Sequence, residues 1–257
     1  NIFNDGGQYG TINSHRAALS LIVGNISNDD RLVRFCKGVY KLRPPLPRYS
    51  ATWDASLVIN HLASLFPNES LTLEQLSKKC ITLLALVTAH RVQTLSKIKT
   101  DQVITLKDQI IIKITELIKT SKVGGKHPIL YLPFFGERPE ICPAKILMAY
   151  VNKTKDLRQP TQLFIRVRKP HTCVPTQILS RWIKSTLKVS GIDVSVFSSH
   201  GTRHASTSIA HKLGVSLDVI RQTAGWSGNS TTFARFYNRP VIQNEDNMAL
   251  ARTLCSL

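Results

Sequence analysis

The chain has 257 residues, of which 42% are hydrophobic, so it can build a folded core and is not disordered throughout. Its apolar runs fall short of the roughly 18 residues that a membrane-spanning helix needs. Lys and Arg total 34 against 16 Asp and Glu, a formal net charge of +18, which favours a polyanionic partner. The chain opens on Asn1 without a leader segment, and we interpret it as an excised part of a longer protein.

The first 45 residues predict two helices, over Ser14–Val23 and Arg31–Tyr40, separated by a turn-rich break. Leu42–Pro47 follows with three prolines, which cannot continue a helix and indicate an extended linker. We therefore predict a helical N-terminal piece with its linker at 1–45 and a larger domain at 46–257.

After the linker, apolar spacing predicts helices over Asp54–Leu65, Leu73–Ala89 and Arg91–Ile98, the second capped by Thr72 with Gln75 or by the segment from Ser70. β-Branched enrichment then predicts three strands, Gln102–Leu106, Ile110–Ile118 and Pro128–Pro133. The remainder predicts helices over Ala144–Lys153, Thr176–Val189, Ser199–Lys212, Leu217–Thr223, Thr231–Tyr237 and Asn244–Leu254. The fold class is thus mixed α/β, mainly helical, with one small antiparallel sheet.

Basic residues are concentrated between Arg138 and Lys188, where eleven stand against two acidic residues. Phe164, Ile165 and Trp182 interrupt this segment, which indicates a folded basic surface and not a solvated tail. The five cysteines are odd in number and widely spaced, and none forms a CxxC pair. This pattern argues against a structural zinc site and indicates a reducing intracellular compartment.

Several polar side chains occupy positions that a helical core does not require. Arg91 follows the apolar run Ile81–Ala89, where it can cap a helix or bind an anion. His200 and Arg203 lie three residues apart at a predicted helix start, so both can reach one anion. Trp226 in the turn Ala224-Gly225-Trp226 and Tyr237 near a helix end are equally compatible with core packing.

The order of these residues resembles the catalytic domain of the tyrosine recombinases, a family that includes phage integrases, Xer enzymes and the recombinases of DIRS-like and Crypton mobile elements. The Pro-rich entry and the ending Phe236-Tyr237-Asn238-Arg239-Pro240 are most similar to the DIRS-like eukaryotic branch. The resemblance covers roughly Pro47–Leu257, and the preceding helices resemble the end of the family's helical core-binding domain.

The resemblance implies a reaction in which Tyr237 attacks a scissile DNA phosphate, forms a 3′-phosphotyrosyl bond and releases a 5′-hydroxyl. His200 would assist proton transfer at this nucleophile. Arg91 and Arg203 would bind the non-bridging oxygens, since guanidinium groups meet phosphate oxygens bidentately, and Trp226 would donate its ring N–H to the phosphate.

The resemblance also assigns protonation of the leaving oxygen to Lys119 in a β-hairpin, with Lys122 as the competing assignment. It implies double-stranded DNA as partner, a tetramer on DNA with Asn244–Leu254 docked on a neighbouring copy, and action in the nucleus for integration of a mobile element. It implies no metal, cofactor or membrane.

Two departures from the family pattern stand out. Thr94 occupies the position, three residues after Arg91, where many members carry an acidic residue that orients the histidine, so either another partner holds His200 or its role is weaker. Trp226 and Tyr237 are eleven residues apart, more than phage and bacterial members usually show. Two alternatives therefore stay open: an inactive DNA-binding protein with the same fold, and a type IB topoisomerase-like enzyme.

Overall fold

The computed structural model describes residues 2–24, 26–121, 124–125, 127–226 and 230–242, and its chain divides into two compact units, Asn1–Arg48 and Tyr49–Leu257. In the first unit, helix α1 (Tyr9–Val23) and helix α2 (Asp30–Leu42) bury Ile12, Cys36 and Val39 between them. Asp29 caps α2, because its side chain accepts hydrogen bonds from the Arg31 and Leu32 amides.

The second unit is built around helix α4 (Leu73–Thr88), most of whose side chains are buried. The predicted capping box is confirmed: the Thr72 hydroxyl accepts from the Gln75 amide while the Gln75 side chain accepts from the Thr72 amide. The other helices of this unit are α3 (Ala55–Ser64), α5 (Val92–Leu95), α6 (Pro143–Thr154), α7 (Thr176–Val189), α8 (Gly201–Lys212) and α9 (Leu217–Thr223). Because α6, α7 and α8 all contact α4, the helix is covered along its length.

The predicted antiparallel sheet is confirmed, with strands β2 (Val103–Thr105), β3 (Gln109–Lys113) and β4 (Ile129–Pro133). Its inner face buries Ile110, Ile112, Leu130 and Leu132. The middle strand is shorter than the predicted Ile110–Ile118. The Ile114 amide still donates to Pro128 O, but Pro128 has no amide to return a hydrogen bond, so the ladder stops there.

A second, parallel pairing was not predicted. Strand β1 (Thr52–Trp53) pairs with strand β5 (Val241–Ile242), and the Thr52 amide donates to Pro240 O over 2.8 Å. The two segments lie at opposite ends of the unit's sequence and are two residues long, so neither shows a strand periodicity. This pairing anchors the chain directly after Tyr237.

Of three other predicted helices, two need correction and one lies outside the described residues. The segment predicted as helix Thr231–Tyr237 is a π-helix over Phe233–Tyr237, closed by the Asn238 amide donating to Phe233 O. The short helix predicted over Arg91–Ile98 covers only Val92–Leu95. Asn244–Leu254 lies outside the described residues. In the part of the chain that is described, no helix combines the length and apolarity needed to cross a bilayer.

Lys79 is a fully buried cation on α4 whose ammonium donates to Leu65 O (2.5 Å) and Asn68 Oδ1 (2.9 Å), and burial lowers its pKa to about 8. We expect Lys79→Met to lower the free energy of unfolding by about 2 kcal/mol, because one buried and one part-buried acceptor lose their donor. Urea unfolding of the full chain measures this loss. Lys78→Met, which removes only an i,i+4 ion pair with Glu74, is the control and should change stability by at most ~0.5 kcal/mol. Equal effects of the two substitutions would contradict the assignment.

Candidate active site

Helix α8 supplies the centre of the candidate site. His200 directly precedes it, and Arg203 and His204 lie in its first turn, both buried. A β-carbon at Gly201 would lie 3.0 Å from Trp53 Nε1, so a side chain at this position would crowd the indole of strand β1. The close approach of α8 to β1 therefore fixes where the first turn of the helix begins.

Tyr237 meets His200 at this helix start. Its hydroxyl lies 2.8 Å from His200 Nε2, and its ring stacks on His204 with centroids 4.2 Å apart and planes 21° apart. Ser208 Oγ donates to Tyr237 O over 2.8 Å and accepts from the Arg239 amide over 3.1 Å. Both ends of the tyrosine, phenol and backbone, are thus held by α8.

The guanidinium of Arg203 lies beside the same tyrosine. Its Cζ is 4.2 Å from the centroid of the Trp226 ring and 5.4 Å from that of Tyr237, and its Nη2 donates to Ala224 O over 2.8 Å. Burial lowers the pKa of Arg203 to about 10, with a further contribution from the charge of Arg91, while Tyr237 acts in the opposite sense. The cation–π contacts and the single hydrogen bond to a carbonyl offset only a small part of the free-energy cost of burying the Arg203 guanidinium.

Three N–H donors at this point have no hydrogen-bond partner among the described residues. Two belong to Arg203, Nε and Nη1, and the third is Trp226 Nε1. Buried donors are almost always paired in folded proteins, and a charged donor left unpaired is especially costly. The arrangement therefore suits an anion with several acceptor oxygens.

Arg91 occupies the N-cap position of α5, where its side chain makes no capping hydrogen bond, two residues after the left-handed turn at Ala89 (φ +50°) that ends α4. Its positive charge helps to lower the pKa of both Arg203 and His90, so it lies near enough for its charge to act on these two side chains. The structure thus brings Arg91, His200, Arg203, Trp226 and Tyr237 to one site from segments that are far apart in sequence.

Lys119 is the exception. It lies in an exposed turn of the connection between β3 and β4, and no described residue of the cluster forms a hydrogen bond or ion pair with it. The expected β-hairpin position is therefore a loop position, because β3 ends at Lys113. Lys122, the competing assignment, lies outside the described residues.

Three residues near the site were missed by the sequence analysis. His204 stacks on Tyr237, and its ring also meets that of His200 edge-on, with centroids 5.6 Å apart. Thr94, which the sequence analysis did single out, is buried. Ser208 holds the tyrosine backbone. His90, buried directly before Arg91, lies against Gly225. A histidine adjacent to each predicted arginine was a signal available in the sequence, but neighbours in sequence do not reveal which ring packs where.

No group of three or more His, Cys, Asp or Glu side chains is arranged to hold a metal in the described ranges. The side chains that converge here are cations, imidazoles, an indole and a phenol. Such a set can bind a phosphate group, move a proton between phenol and imidazole, and present the phenol as a nucleophile.

A model of the phage integrase family matches residues 59–242 of this chain. No curated protein matches it. Among solved structures, the Tn1549 transposon integrase in complex with transposon right end DNA has a TM-score of 0.61 at 13% identity, covering 99% of this chain and 82% of that one. The fold is therefore that of a tyrosine recombinase catalytic domain with a small antiparallel sheet.

Two further structures are similar. XerA recombinase has a TM-score of 0.53 at 17% identity, covering 97% of this chain and 83% of that one. XerH site-specific recombinase, in a pre-cleavage complex with its difH substrate, has a TM-score of 0.57 at 12% identity over 80% of this chain. The chain spans 53% of the length of that XerH chain.

Proposed function

This chain belongs to the phage integrase family, and we propose that it is a site-specific DNA recombinase that acts through a 3′-phosphotyrosyl intermediate. One observation carries the proposal: the Tyr237 hydroxyl lies 2.8 Å from His200 Nε2, beside a buried Arg203 with two N–H donors that no described residue pairs. A nucleophile, a proton acceptor and an anion-binding group thus occupy one site.

The proposed reaction uses these contacts and the roles that the family resemblance implies. The phenolic oxygen of Tyr237 attacks the phosphorus, its proton passes to His200 Nε2, and the bond from phosphorus to the 5′-oxygen breaks. Arg203, Arg91 and Trp226 Nε1 stabilise the charge that develops on the non-bridging oxygens. The departing 5′-oxygen needs a proton, which we assign to Lys119 or Lys122. Attack by a second 5′-hydroxyl reverses these steps, so the covalent bond conserves the energy needed for rejoining.

We assign double-stranded DNA as the substrate because the chain carries a net charge of +18 and its basic residues include an exposed row on α7. Arg181, Lys184 and Lys188 lie on the solvent face of this helix, opposite the buried Leu179 and Ile183. Cations spaced along one helix face can neutralise successive phosphates. This support is independent of the residues at the active site.

The finer assignments rest on the motif resemblance. We propose that the enzyme integrates a mobile element of the DIRS-like branch, acts in the nucleus, and assembles as a tetramer on DNA with residues 244–254 docked on a neighbouring copy. The Pro-rich entry and the sequence around Tyr237 support the branch.

A pool of nicked duplexes with randomised sequence around the nick tests the proposed function. A strand cleaved near the nick loses its short 5′-hydroxyl fragment by diffusion, so the phosphotyrosyl bond is trapped. We expect a denaturation-resistant adduct whose peptide maps to Tyr237, with DNA enriched in one sequence.

The two alternatives give different results in the same assay. Adducts without sequence enrichment, together with relaxation of any supercoiled plasmid, would indicate a topoisomerase. Salt-sensitive DNA binding without any adduct would indicate a binding protein that keeps the fold and lacks the chemistry. Two observations motivate this alternative: Thr94 stands where many family members carry an acidic residue, and Lys119 is exposed.

A further inference from the structure

His90 is a buried histidine to which the proposed reaction gives no role. It is 6% exposed and lies between the left-handed Ala89 and Arg91. Its amide donates to Thr88 Oγ1 over 3.3 Å, and that hydroxyl donates to Leu84 O over 2.7 Å. The end of α4 thus fixes the backbone from which both His90 and Arg91 project.

The ring of His90 lies against the turn that carries Trp226. A β-carbon placed on Gly225 would come within 2.8 Å of His90 Cε1, and Gly225 has φ +65°. Glycine is therefore required for two reasons, the backbone conformation and the imidazole beside it. The ring occupies the volume that a side chain at Gly225 would need.

The same turn is held on either side of Gly225. Arg203 Nη2 donates to Ala224 O, and the Trp226 amide donates to Arg221 O over 2.8 Å. The Trp226 ring lies 4.2 Å from the Arg203 guanidinium. Any displacement of Gly225 therefore shifts Arg203 and Trp226, the two side chains at this site with N–H donors that have no partner among the described residues.

The charge state of His90 is compatible with this position. Burial, together with the positive charges of Arg203 and Arg91, lowers its pKa to about 4. The imidazole is therefore neutral at neutral pH and packs beside two guanidiniums without repelling them. A cationic side chain of similar length would not share this property.

We infer that His90 is a positioning residue, which holds the Ala224–Trp226 turn so that Arg203 and Trp226 Nε1 face one phosphate. The inference rests on the proposed function for its phosphate, although the contact between His90 and the turn does not. It assigns His90 no contact with the substrate and no proton transfer.

A double-mutant cycle of His90→Ala and Gly225→Ala tests the inference, with adduct formation on the nicked duplex as readout. We expect His90→Ala to slow adduct formation about tenfold at saturating DNA, while the DNA concentration that gives half-saturation stays unchanged. Gly225→Ala should slow adduct formation about a hundredfold. The double variant should be no slower than Gly225→Ala, because removing the ring makes room for the new methyl group.

His90→Asn should form the adduct faster than His90→Ala but more slowly than the wild type. His61→Gln, on α3, is the matched control and should form the adduct at the wild-type rate. Multiplicative costs, about a thousandfold in the double variant, would overturn the inference because they mean that the two sites act separately.

A second readout works even if the wild type forms no adduct and the proposed function fails. With 5-fluorotryptophan the three tryptophans give three fluorine resonances, and Trp226→Phe assigns that of Trp226. His90→Ala should shift this resonance and leave those of Trp53 and Trp182 in place. An unmoved Trp226 resonance would overturn the inference.

Discussion

Replacing Tyr237 with phenylalanine is expected to abolish the covalent protein–DNA adduct while leaving the fold and DNA binding intact. The substitution removes one oxygen and keeps the ring, which stacks on His204 and lies 4.9 Å from the Trp226 ring. The lost hydrogen bond to His200 is worth only about 1 kcal/mol of stability. Denaturing electrophoresis of the nicked-duplex reaction gives the yield of adduct directly.

Tyr131→Phe is the matched control for this experiment. Tyr131 lies on β4 and is 56% exposed, so the same single-oxygen deletion there should leave adduct formation unchanged. Filter binding at several salt concentrations should give the same salt dependence for both variants, because neither changes the net charge. An adduct of normal yield on the Tyr237→Phe variant would contradict the assignment of the nucleophile.

Replacing Arg203 with alanine is expected to slow adduct formation by about a hundred- to a thousandfold, the usual loss for one preorganised donor at a developing negative charge. Arg203→Lys should also be slow, because an ammonium keeps the charge but cannot match two phosphate oxygens with a planar fork. Single-turnover rates at saturating DNA measure both effects.

Misfolding is the competing explanation for a loss at Arg203, because the side chain is buried and Ala224 O depends on it. Added guanidinium at millimolar concentration should restore part of the rate of Arg203→Ala if the cavity is intact. Arg221→Lys is the control: Arg221 pairs with the exposed carboxylate of Asp218 and lysine keeps the charge, so the replacement should have little effect. Wild-type rates for Arg203→Lys would contradict the proposed role.

Much of the fold was predictable from local patterns. The capping box at Thr72, the two helices Thr176–Val189 and Leu217–Thr223, and the three-stranded sheet follow from spacing and propensity, which act within a few residues. The end of β3 was wrong by several residues because it depends on Pro128, its partner across the sheet. The π-helix that ends at Tyr237 was also missed, since its spacing differs little from that of an α-helix.

The chain's charge and the order of its polar residue types are properties of the sequence, and they were sufficient to indicate the family and a phosphate-binding site. Which side chains meet is decided by tertiary packing. The contact of Tyr237 with His200, the pairing of β1 with β5 and the fit of His90 against Gly225 join residues distant along the chain. Periodicity and propensity describe neighbours in sequence, whereas these contacts arise only when α4, α8 and the segment after α9 pack together in the folded unit.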